Sequence, residues 1–363
     1  MIGECHKKAK EVIKACSTPH GLFASGGKEG YNAVWSRDSM ISFLGASLDP
    51  KFKQTFKKSL VVLATNQSPK GQIPNAVDKY SKRKPHVDYA SIDSTLWYII
   101  GHYVYKKRYK DNSLFKKYQN TIKKALFWLS FQDIGENGVL EQLPTTDWQD
   151  AFPHKYGVAI NTQAMYYKVL NLTNNQKDAK KLKFMVNKYE ETKLWDKDFY
   201  VPYRWKNHNK YKEIGDWFDS LGNLLAIVFD LADEQQAKKI INYIEKNKIN
   251  RPYPVKAIYP PIRRGTKEWH DYFEDCDAKE PHHYLNGGIW TYIGGFYVLS
   301  LIKLKKFKKA EEELKKLAEA NLKGNFPEWI NPLTKESFGN LQAWDAGLYI
   351  LAYESLKKKK ILI

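Results

Sequence analysis

The chain has 363 residues, 43% of them apolar and 14% aromatic, with 11 Trp and 24 Tyr; that is enough for one large domain or two average ones with a sizeable core. Basic residues exceed acidic ones by 59 − 40 = 19, but the lysines are scattered in clusters ("KKAK", "YSKRK", "YKKRYK", "LKKFKKA", "LKKKK") with no Arg-rich stripe and no helix-turn-helix, so they read as a solvated face and argue against a nucleic-acid partner. Three Cys without metal spacing, no apolar leader and no run of about 18 apolar residues argue against a disulfide scaffold, a metal or other cofactor and a membrane span, and the expectation is a soluble cytoplasmic protein.

Helical periodicity predicts twelve helices in chain order, at about 4–16, 37–48, 51–66, 90–107, 112–132, 159–173, 175–194, 217–232, 234–247, 287–305, 307–321 and 342–358. Strand alternation is scarce. Odd members such as "QKDAKKLKFMVNKYEETK" are amphipathic and charged. Even members such as "TLWYIIGHYVY" and "IWTYIGGFYVLSLIKL" are apolar nearly all round, as a helix buried on every side must be. Six buried and six half-buried helices in alternation predict an all-α fold, a six-hairpin α/α toroid forming a single domain over 1–363. A flat solenoid is the competing arrangement, but its repeats should be of even length, and the even helices here start at uneven intervals.

Each long connection leads into an even helix and carries polar and aromatic residues beside that helix's first turn. In order they are "YNAVWSRD", "HVDYASIDS", "TTDWQDAFPHKYGVAIN", "EIGDWFDS", "EPHHYLNGG" and "NFPEWINPLTKESFGNLQAWD". In a ring of parallel inner helices all six meet at one end, as a funnel lined by Trp, Tyr, Asp, Glu, His and Asn. One such loop could be simple N-capping; six together point to a ligand. Arg37 and Asp38 then await a polar partner at the funnel floor, or else form a structural buried ion pair.

Carboxylates and aromatics without a metal signature suggest glycoside hydrolysis, which needs one carboxylic acid to protonate the leaving oxygen and one carboxylate to activate water or attack the sugar. Ten candidates stand near the loops: Asp38, Asp88, Asp93, Asp147, Asp150, Asp216, Asp219, Glu280, Glu328 and Asp345. Residue types and spacing alone do not choose two of them. Asp219 reads as the cap of "SLGNLLAIVF", and Gly287 and Gly288 as tight backbone. A metal site from Cys276, His282 and His283 is a faint alternative.

"YNAVWSRDSM", "DSTLWYI", "TTDWQDA", "HYLNGGIW" and "FPEWINPLTKESFGNLQAWDAGLYILAY" resemble, in order, the motifs of α/α-toroid glycosidases, a group that includes the glucosidase part of glycogen-debranching enzymes (amylo-α-1,6-glucosidase) and the neutral/alkaline invertases. The resemblance runs from about Gly21 to Tyr353. It implies an inverting, exo-acting hydrolase with Asp93 ("DSTLW") as general acid and Glu328 ("FPEW") as base. The bland readings of these two are a helix N-cap and an exposed loop charge. The same resemblance implies Arg37 and Asp38 on the hydroxyls of the innermost sugar, Asp147 near the substrate, and His283, Asn286 and Trp290 in the wall. Tyr31, Trp35, Asp88, Trp148, Asp150, Asn161, Gln163, Gln342 and Trp344 complete the expected binding set. The chain departs from the family at Asn161, where a glutamate is common, and at Thr291, where proline is common. Its 363 residues leave no room for the large transferase region of eukaryotic debranching enzymes, so a stand-alone glycosidase acting on α-glucosides is expected. Sucrose hydrolysis is the alternative, and a toroid that binds an oligosaccharide without turnover is another.

Overall fold

The structure, a computed structural model, describes residues 1–27, 30–78, 86–208 and 211–363, with side chains undescribed at 206–208, 211 and 212. The whole basic "YSKRK" cluster therefore lies outside the described residues. Thirteen α-helices are present among the described residues: α1 (Ile2–Cys16), α2 (Ser36–Ala46), α3 (Lys53–Thr65), α4 (Asp93–Tyr109), α5 (Ser113–Lys117), α6 (Gln119–Ser130), α7 (Ile160–Leu172), α8 (Gln176–Asn187), α9 (Ser220–Val228), α10 (Glu234–Lys246), α11 (Thr291–Lys303), α12 (Phe307–Lys323) and α13 (Ala343–Lys357). They cover the twelve expected, several in shorter form: the helix read at 217–232 spans Ser220–Val228 and the one read at 287–305 spans Thr291–Lys303. The helix read at 112–132 breaks at Tyr118, and the one read at 175–194 stops at Asn187.

Helices α2, α4, α7, α9, α11 and α13 pack each on the next, and α13 packs back on α2, which closes a ring and removes the solenoid alternative. Every residue of α2 and of α9 is buried; α9 is apolar nearly all round, whereas α2 buries Arg37, Asp38 and three serines as well. Outside them, α1 lies on α13 and α12, α3 on α4, α5 and α6 on α4, α8 on α7, α10 on α11, and α12 on α11 and α13. The outer helices bury one stripe only: in α10 it is Ala237, Ile240, Ile241 and Ile244, behind a capping box of Asp233 and Gln236. The ring closes at glycine. A Cβ on Gly45 of α2 would stand 1.9 Å from the Gly347 carbonyl of α13, so the two backbones touch where any side chain would separate them.

The sequence pattern did not show the short strands. Val34–Trp35 pairs with Ala76–Asp78, which pairs with His86–Asp88; Val158–Ala159 pairs with Tyr203–His208; Phe218–Asp219 pairs with Ile258–Tyr259; Trp329–Ile330 pairs with Ser337–Phe338. Most are two or three residues long, too short for alternation to register. Three of them run straight into α2, α7 and α9, so they set where those inner helices begin. No helix among the described residues is long and apolar enough to cross a membrane.

Candidate active site

The first turns of the inner helices meet at one end of the ring. Arg37 of α2 reaches Asp93 of α4, and Thr291 of α11 donates to Asp345 of α13 at 2.6 Å. Lys155, in the loop before α7, reaches Asp219 at the cap of α9. A cavity of about 430 Å³ opens at this end, lined by Ala24, Tyr31, Trp35, Arg37, Asp38, Trp148, Asp150, Tyr284, Trp290, Glu328, Gln342 and Trp344. Its wall is aromatic: Trp148, Trp290 and Trp344 meet edge to face with centroids 5.6 and 5.8 Å apart, and Tyr292 stacks on Trp344 behind them at 4.3 Å. Such faces suit the apolar side of a sugar ring while the indole edges and carboxylates meet its hydroxyls.

Three carboxylates reach the cavity. Glu328 is half-buried in the loop before α13, and its Oε1 accepts hydrogen bonds from the Tyr31 and Tyr284 hydroxyls, each at 3.2 Å. Burial raises its pKa; the two tyrosine bonds, which favour the anion, work against that rise. Asp150 leaves 44% of its side chain accessible, yet the protein around the cavity desolvates its carboxyl and holds its pKa above the ordinary value. Arg37 opposes that shift and the like charge of Asp93 adds to it. Accessible area and desolvation differ here because the group faces a concavity: water reaches it from one side while protein crowds the others. Asp38 is 7% exposed, and burial pushes it up to about 7 against the pull of Arg37.

Ten of the expected residues line this cavity: Tyr31, Trp35, Arg37, Asp38, Trp148, Asp150, Trp290, Glu328, Gln342 and Trp344. Asp93, expected to face the sugar as the acid, is not among the lining residues. It is fully buried, with Oδ2 2.7 Å from Arg37 Nε and Oδ1 3.1 Å from Arg37 Nη2, and it also accepts from the Ser91 hydroxyl. A two-point bond to a guanidinium fixes the carboxylate in the helix seam and turns it away from the cavity. The buried ion pair foreseen at Arg37 is real, but the partner is Asp93 and not the adjacent Asp38.

Six other expected residues stand behind the wall. Asp88 accepts from the Asn75 side chain at 2.7 Å. Asp147 is buried against Lys155 and Gln142. Gln163 bonds both backbone groups of Leu140, and Asn286 bonds the backbone of Ile262 and Lys279, so each amide braces a loop. Asn161 is 1% exposed and packs at the close approach of α7 to Gly222. His283 packs edge-on against Trp329. Its neighbour Tyr284 takes the place expected of it, because His282 and Tyr284 both adopt a left-handed backbone (φ 69° and 42°) that turns alternate side chains out of the simple order. Tyr284 and Ala24 are the lining residues that sequence reasoning missed. "HYLNGGIW" contained the tyrosine but not the twist. Asp219 caps α9 as foreseen, accepting from Gly222 N at 3.0 Å. Among the described residues no group of three or more His, Cys, Asp and Glu is arranged to hold a metal.

A closed double ring of helices with a cavity of carboxylates and tryptophans at one end defines an α/α-toroid glycoside hydrolase. The chain belongs to the amylo-alpha-1,6-glucosidase family, which it matches over residues 8–348. It is 29% identical over 139 residues to neutral/alkaline invertase 1, mitochondrial, of Oryza sativa subsp. japonica, and 31% identical over 144 residues to probable alkaline/neutral invertase D of Arabidopsis thaliana. Those stretches are 37% and 38% of this chain but only 22% and 26% of the relatives. Its fold is that of the GH63 mannosylglycerate hydrolase of Thermus thermophilus, solved with Tris and D-glycerate: the TM-score is 0.72 at 13% identity, covering 95% of this chain and 99% of that one. A structure described as a wild-type glycosidase superposes with a TM-score of 0.69 at 14% identity, covering 98% of this chain and 97% of that one.

Proposed function

We propose that the protein removes a terminal glucosyl unit from an α-glucoside by a single inverting displacement, with Asp150 as general acid and Glu328 as general base. One observation carries this reading: Asp150 and Glu328 line the same cavity, and of the two only Glu328 is held by hydroxyl donors. Glu328 rests under two hydroxyl donors that favour the carboxylate; Asp150 has no such donor, and burial, with the nearby charges of Asp93 and Asp147, raises its pKa against the pull of Arg37. The acid protonates the leaving oxygen while the base takes a proton from the attacking water on the other face of the ring, and Glu328 keeps Oε2 for that water because both tyrosines use Oε1. Arg37 and Asp38, at the cavity floor, would hold hydroxyls of the bound sugar. Exo action is proposed from the family resemblance, with the bound unit against the tryptophan wall of the cavity. The family supports an α-1,6-linked glucoside as substrate. The invertase matches favour a second reading, sucrose as the glucoside cleaved.

The test is release of reducing sugar from isomaltose, panose, limit dextrin and sucrose by wild type, Asp150→Asn and Glu328→Gln, with the anomer of the first product read by NMR. Inversion predicts β-glucose first and carboxylates about 6.5–9.5 Å apart. Consumption of sucrose alone selects the second reading. Release of α-glucose first, or near-normal rates in both variants, removes the proposed mechanism.

A further inference from the structure

We infer that Lys155 is a positioning residue for the acid: its buried ammonium ties the loop that carries Asp150 to the inner ring and so fixes where the acid's proton is delivered. This rests on reading Asp150 as the acid. The loop is closed at its base by reciprocal backbone bonds between Gln142 and Gly157, both 2.9 Å. Within it Asp147, 1% exposed, is saturated: Oδ1 accepts from Gln149 N at 2.9 Å, and Oδ2 accepts from Gln142 Nε2 at 3.1 Å and Lys155 Nζ at 2.9 Å. Lys155, also 1% exposed, gives a second bond of 2.7 Å to Oδ2 of Asp219, the residue that caps α9. On the other flank, the Thr146 carbonyl accepts from Ile92 N at 2.7 Å, just before α4. The loop is thus pinned to two inner helices, once through backbone and once through Lys155.

Asp150 lies between the two residues of that pair, three after Asp147 and five before Lys155. Its own carboxylate has Arg37 Nη1 at 3.9 Å as its ion pair, beyond hydrogen-bond length. Its position is therefore set by the backbone on either side, and the backbone by Lys155. A buried ammonium needs a carboxylate partner, and here one cation serves two anions from different parts of the chain. Without the cation, Asp147 and Asp219 repel, and the repulsion acts on the segment that holds the acid.

A purely structural ion cluster would support folding alone, so the test must separate misplacement of the acid from general weakening. Lys155→Met keeps the length of the side chain and removes its charge. Asp219→Asn keeps the cap oxygen of α9 and removes one anion, and it carries the test if Lys155→Met does not fold. Both are assayed on the glycoside that wild type hydrolyses and on the glycosyl fluoride of the same sugar, whose leaving group needs far less protonation. We expect kcat of Lys155→Met on the glycoside to fall on the order of 100-fold with KM within about threefold of wild type. On the fluoride the loss should be under about fivefold. Asp219→Asn should show the same contrast with a smaller loss. Equal losses on both substrates, or no loss on either, overturn the proposal. Asp150→Asn, run in parallel, separates the two layers: if it hydrolyses the glycoside at the wild-type rate, the acid assignment fails and this proposal with it. If it is inert on the glycoside while Lys155→Met is normal, only the role of Lys155 falls.

Discussion

Asp93 and Asp150 both neighbour Arg37, and the contrast between them separates a strut from an acid. Asp93 faces sideways into the seam between α2 and α4, is fully buried, and takes two bonds from the guanidinium, at 2.7 and 3.1 Å. Asp150 faces the cavity, stands 3.9 Å from the same guanidinium and keeps a raised pKa. The same cation therefore locks one carboxylate into the seam and leaves the other free of a direct hydrogen bond, facing the cavity. Motif position does not decide this; the direction of the side chain does.

The comparison can be broken most severely at the chemistry. Asp150→Asn and Glu328→Gln are each expected to lower kcat by about 10³-fold with stability unchanged, read as initial rates beside a thermal melt. Normal rates in either variant would unseat that residue. Next is the strut. Arg37→Met leaves Asp93 buried with the Ser91 hydroxyl but without its cation, and is expected to cost about 3–5 kcal/mol in denaturant unfolding. A loss below about 1 kcal/mol would mean that the pair is not holding α2 to α4.

Asp38 sharpens the comparison through pH. Its folded pKa, about 7, lies above the ordinary value of 3.8, so between those values the folded chain holds a proton that the unfolded chain has released. The stability that Asp38 contributes is then full below about pH 4 and is lost as pH rises through about 7. Asp38→Asn should abolish that decline and raise stability on the order of 2 kcal/mol above pH 7, while weakening sugar binding. A variant with an unchanged pH slope would contradict this. The smallest effect expected is at Tyr284: the phenylalanine variant loses one of two bonds to Glu328 and should lower kcat about tenfold, measured beside Tyr31→Phe. A rate unchanged in both variants would show that the tyrosine bonds do not set the state of Glu328.

The ring was legible in the sequence because inner and outer helices differ in a way hydropathy records: α9 is apolar on every side and α10 on one stripe. The funnel was legible because loops with Trp, Asp and Glu precede each buried helix. The division of labour among carboxylates was not. Asp93 stands in a motif of the right family, but a first-turn residue can turn into a helix seam or into the cavity, and spacing carries no sign of which. Glu328 was assigned through its motif and does line the cavity. Asp150 was one of the ten candidate carboxylates but was placed in the binding set, since its significance rests on Arg37 being occupied elsewhere. Tyr284 was hidden by two positive φ angles, for which "HHY" offers no glycine as a signal.

The most direct measurement of the account is the pH dependence of kcat/KM for wild type, Asp150→Asn and Asp93→Asn, since the shape of the profile is insensitive to a loss of folded protein. The basic limb reports the group that must be protonated. If Asp150 is the acid, that limb disappears in Asp150→Asn and persists in Asp93→Asn at whatever amplitude that weakened chain retains. Loss of the limb in Asp93→Asn, with Asp150→Asn keeping it, would return the acid to the seam between the helices and contradict the account.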